Sequence, residues 1–121
     1  MHEHIHNWLT EKIKITGVMA CGIRFPDRKT FTRNQSNQFA PVALENACRC
    51  MADTFQVLHS NRFAVQRVRW VFGNYFVYGS LREDGICFAI VTRREDPNLQ
   101  ASDLSNLIQE FQRLSPDFAT A

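Results

Sequence analysis

Residues 65–92 read VQRVRWVFGNYFVYGSLREDGICFAIVT, three strand-like runs separated by two turn signals. Gly73-Asn74 and Glu83-Asp84-Gly85 are the residue types that tight hairpin turns require, so Val65–Phe72, Tyr75–Leu81 and Ile86–Thr92 form a meander. The runs differ in their two faces. In the first, Val68, Trp70 and Phe72 alternate with Arg67 and Arg69, which suits a strand with one buried face. In the last, Ile86 to Val91 is apolar on both faces and must be covered on both, which puts it in the centre of a sheet between helices.

Upstream, Val18–Ile23 is equally apolar on both faces and also belongs in the centre. It is followed by the turn Pro26-Asp27-Arg28-Lys29 and the more polar run Thr30–Arg33, so the pair is a hairpin with one buried and one exposed member. The Thr30 and Arg67 strands then fall at the edges. Ile5, Trp8, Leu9 and Ile13 recur at helical spacing over residues 3–14, and Gly17 ends that pattern. Pro41 opens a second helix that runs to about residue 60, free of further Pro or Gly. Leu104, Leu107, Ile108, Phe111 and Leu114 define a third, starting near Asp96-Pro97 or Ser102 and ending before Pro116.

The second helix has two apolar stripes. Leu44, Cys48, Met51, Phe55 and Leu58 make the large-residue stripe that covers a sheet. Ala43, Ala47, Cys50 and Thr54 make a small-residue stripe beside it, which allows another helix to approach closely or packs against a loop of the same domain. Arg67 and Arg69 likewise admit two roles, guarding an edge strand against aggregation or anchoring a partner.

The 121 residues suffice for one domain spanning 1–121, and 45% apolar with 21% charged residues is ordinary for a globular chain. A net charge of +2 does not mark a nucleic-acid binder, although eleven of the 14 basic residues are Arg, a bias that suits contact surfaces. Met1–Trp8 lacks the apolar core of a secretory signal, and no stretch reaches the roughly 18–20 apolar residues of a membrane span, so a cytoplasmic protein is expected. Cys21, Cys48, Cys50 and Cys87 have no metal-ligand spacing and read as reduced thiols packed as small hydrophobes.

His2, His4 and His6 raise the question of a metal, since His2 and His6 share a helix face; a solvated terminus explains them as well. No nucleophile elbow, P-loop or dinucleotide motif is present, so neither catalysis nor a cofactor is expected. The rival class is a single-stranded RNA binder, with Trp70, Phe72, Tyr75, Phe76 and Tyr78 stacking bases beside Arg67 and Arg69. A small-molecule sensor with a pocket between sheet and helix is a third reading.

The element order α-β-β-α-β-β-β-α, with first and last strands central, resembles the roadblock (dynein light chain) family from about Ile5 to Leu114. Gly17-Val18 before an alternating apolar strand, a tight turn near Asp27, Ala43, Ala47 and Ala52 in a long second helix, and Pro97-Asn98-Leu99 before the last helix carry the resemblance. The chain departs from the family in having Arg28-Lys29 where many members place Gly, and Gln100 where they place a small residue. The resemblance implies an α+β, roadblock/profilin-like fold with a central five-stranded antiparallel sheet and helices on both faces. It also implies a homodimer, or a heterodimer with a paralogue, and a role as scaffold or regulator, frequently of small Ras-like GTPases. The expected self-contact comprises Ala43, Ala47, Cys50 and Thr54 on the second helix with Val65, Arg67, Arg69 and Val71 on the third strand.

Overall fold

The computed structural model describes residues 3–35 and 40–115, with Phe72 described by its backbone alone. Eight elements follow in the expected order: α1 Glu3–Lys12, β1 Val18–Arg24, β2 Thr30–Asn34, α2 Pro41–Ser60, β3 Arg67–Phe72, β4 Tyr75–Leu81, β5 Cys87–Arg93 and α3 Ala101–Arg113. The strands form one antiparallel sheet in the order β2-β1-β5-β4-β3. The two strands that are apolar on both faces, β1 and β5, lie inside it and are buried over all but their last residue. The edges are β2 and β3, as the alternation of Arg67 and Arg69 with Val68 and Trp70 requires.

Each face of the sheet has its own core. On one, α1 and α3 cover Cys21, Ile23, Phe88 and Ile90 with Ile5, Leu9, Leu107 and Phe111. On the other, α2 lays Leu44, Cys48, Met51 and Phe55 over Ala20, Val77, Ala89 and Val91. Gly79 of β4 lets α2 settle this low, because a Cβ there would run into the Met51 side chain.

Several boundaries differ from expectation for local reasons. α1 stops at Lys12 rather than residue 14, since Lys14 and Ile15 turn their N–H groups to carbonyls three residues back as the chain unwinds toward Gly17. β3 begins at Arg67, not Val65. There the chain is still leaving α2: the Val65 N–H bonds the Phe63 carbonyl at 2.9 Å, and the Val65 carbonyl pairs with His59 Nε2 at 2.9 Å. β5 begins one residue late because the Ile86 N–H is taken by Asp84 Oδ1 at 3.2 Å. α2 ends in a Schellman turn, Arg62 N–H to His59 O and Phe63 N–H to Leu58 O, with Arg62 left-handed at φ 67°. Pro97-Asn98-Leu99 is a turn before α3, in which Asp96 Oδ1 accepts the Asn98 N–H at 2.9 Å.

Candidate interaction surface

α2 turns its large stripe into the core and leaves the small one outside. Ala43 and Cys50 are exposed, and Ala47 and Thr54 are half-buried, the Thr54 hydroxyl being spent on the Cys50 carbonyl at 2.8 Å. Val57 continues the flank and is 60% exposed. Sequence reasoning missed it, although it stands seven residues beyond Cys50 and three beyond Thr54, the repeat that defined the stripe.

Among the described residues β3 pairs only with β4, so its outer row of backbone N–H and C=O groups faces no other described strand. The pairing Trp70 with Val77 and Val68 with Gly79 turns Trp70 and Val68 toward α2, and both pack on that core. Arg67, Arg69 and Val71 therefore face the α3 side. The expected contact residues of β3 thus lie at the sheet edge on the α3 face, those of the helix lie on the α2 face, and Val65 sits in the connection from α2. Val71 is 51% exposed.

Arg69 is already engaged within the chain, its guanidinium carbon 4.5 Å from the Phe76 ring centre, with Arg94 at 5.8 Å from the same ring. Phe76 meets Tyr78 edge-on at 5.9 Å. Phe76 and Tyr78 look toward α3, whereas Trp70 and Tyr75 look toward α2, so the aromatics do not share one stacking platform for single-stranded RNA; the Phe72 side chain lies outside the described residues.

The four thiols differ, although the sequence reading treated them alike. Cys21, Cys48 and Cys87 are buried and Cys50 is exposed. Burial pushes the thiols of Cys21, Cys48 and Cys87 up to about 12 and keeps them protonated, hence poor nucleophiles. His6 Nδ1 lies 3.1 Å from Arg33 Nη2, which can only donate, so this nitrogen is an acceptor facing β2. His2 lies outside the described residues. Among the described residues no cluster of three His, Cys, Asp or Glu side chains is placed to hold a metal, and no helix is long and apolar enough to cross a membrane.

No protein-family model matches the sequence, and no curated protein matches it. Solved structures do. A Roadblock/LC7 domain from Streptomyces avermitilis superimposes with a TM-score of 0.62 at 15% identity, over 85% of this chain and 91% of that one. The gliding protein MglB from Thermus thermophilus gives 0.66 at 11% identity, over 93% and 85%. An MglB with a tetrameric arrangement gives 0.64 at 9% identity, over 98% and 90%. The chain has the roadblock fold.

Proposed function

We propose that this chain works without catalysis, as a dimeric adaptor or regulator whose first partner is a second copy or a paralogous roadblock-fold chain. The observation that carries the reading is the open edge of β3, standing in the same molecule as an α2 flank of exposed small and apolar residues. Edge-to-edge pairing of two β3 strands satisfies the free backbone groups, and two α2 flanks of Ala43, Ala47, Cys50 and Thr54 are small enough to pack side by side. Val65, Arg67, Arg69 and Val71 border the same contact, the Arg pair on its α3 side. The structural neighbour in a tetrameric arrangement supports self-association as a use of this fold. The dimer then presents a composite surface to a further protein, and a small Ras-like GTPase is the partner class that the sequence resemblance favours. Four free thiols suit a reducing compartment, the cytoplasm.

Light scattering across a concentration series tests the first step. The wild-type chain is expected near 28 kDa, twice its 14.0 kDa mass, at low micromolar concentration. Ala47→Glu is expected to give a folded monomer, because it buries a charge in the contact. A monomeric wild type removes the reading, and a dimeric Ala47→Glu moves the contact elsewhere. Pull-down with small GTPases of the same genome, in both nucleotide states, tests the second step.

A further inference from the structure

The β1–β2 turn, the β4–β5 turn and α2 from Arg49 to His59 border an open cleft of about 710 Å³, within the roughly 300–1,000 Å³ of small-molecule sites. Three arginines from three separate segments line it: Arg24 at the end of β1, Arg28 in the turn and Arg49 on α2. Asp53 is the one carboxylate on its wall. Arg24 is held in place, its Nη1 donating to Thr30 Oγ1 at 3.1 Å and to the Arg28 carbonyl at 3.4 Å. Arg28 and Arg49 enter no ion pair among the described residues.

The turn makes Arg28 a position that can be changed without loss of the fold. Arg28 is left-handed at φ 76°, a conformation that any Cβ disfavours and glycine adopts freely. An arginine stands where glycine would relieve the backbone, and it is one of the residues that line the cleft. The cleft also lies across the buried stripe of α2 from Ala47, Cys50 and Thr54, so it does not share the proposed self-contact.

We infer that this cleft binds a small molecule carrying a pyrophosphate group. Three cations on three segments exceed what one phosphoryl group of about two charges calls for, and they suit two linked ones, each oxygen taking charge-assisted hydrogen bonds. Pro26 and Leu81 supply an apolar wall for the organic part.

Calorimetric titration of the full chain at low ionic strength, with ADP, pyrophosphate and inorganic phosphate as probes, tests this. Pyrophosphate and ADP are expected to saturate one site per chain, at least tenfold more tightly than phosphate. Arg49→Gln is expected to weaken both by about tenfold, the loss of one charge-assisted contact. Arg28→Gly is expected to weaken them as much while melting at or above the wild-type temperature, which separates loss of binding from loss of fold. Arg69→Gln, the same change of charge outside the cleft, leaves binding as it was, and Ala47→Glu retains it whatever its mass. Absence of saturable binding, phosphate binding as tightly as pyrophosphate, failure of ADP to displace pyrophosphate, undiminished binding by Arg28→Gly, or equal weakening by Arg69→Gln each overturn the assignment.

Discussion

At the scale of single residues, the cysteines show how burial converts one side chain into two kinds of group. The unfolded thiol titrates near 9.0, whereas burial carries the folded thiols of Cys21, Cys48 and Cys87 to about 12. The folded state therefore holds these protons where the unfolded state releases them. Their contribution is fully present below pH 9 and is lost as the pH climbs toward 12. Urea midpoints are expected to stay level from pH 7 to 8.5 and fall above 9, with a shallower fall in Cys87→Ala; an unchanged slope in that variant contradicts the assignment. Cys50 makes the opposite prediction. It is exposed in the single chain and covered in the proposed dimer, so its alkylation by iodoacetamide at pH 8 should slow as protein concentration rises, and should not slow in Ala47→Glu.

Among elements, the β4–β5 turn and α3 are joined by a set of buried and half-buried polar contacts. Arg82 is buried, donates to the Phe111 carbonyl at 3.1 Å, pairs with Asp84 at 2.9 Å and lies 5.6 Å from the Phe111 ring centre. Gln112 Nε2 adds bonds to Ser80 Oγ at 2.6 Å and to the Leu81 carbonyl at 2.9 Å. Arg82→Ala removes several of these bonds and the packing of a long side chain, so a loss of about 2–4 kcal/mol is expected in urea denaturation. A loss under 1 kcal/mol means the junction is incidental. Nothing in the sequence singled out Arg82, which reads there as one more polar residue beside Glu83-Asp84. The helices, the central strands and both edges were legible because periodicity is a local property, as in Leu44, Cys48, Met51 and Phe55. Long-range meetings were not. Gly17 at φ 94° shows the difference: a Cβ there would stand 2.7 Å from that of Leu99, so the Gly17-Val18 and Pro97-Asn98-Leu99 motifs prove to be two sides of one contact. Arg24, Arg28 and Arg49 are likewise ordinary in their own segments and come to line one cleft only in the folded chain.

For the molecule as a whole, pairing through β3 predicts a pattern in hydrogen exchange. The β3 amides that point away from β4 should exchange quickly in dilute samples and become protected across the concentration range in which the mass doubles; β1 and β5 amides, already paired on both sides, should not respond. Protection of β3 that is independent of concentration would speak against this assembly. The two sheet edges also differ in kind. β2 is half-buried along its length and tied to α1 through Arg33, which reaches Thr10 Oγ1 at 3.1 Å and His6, whereas β3 is open. In the proposed assembly, two copies joined through β3 leave β2, with α1 beside it, at both ends of the joined sheet. Were β2 to pair in the same way, the valence of each copy would rise from one to two and a closed pair would become the repeating unit of a fibre.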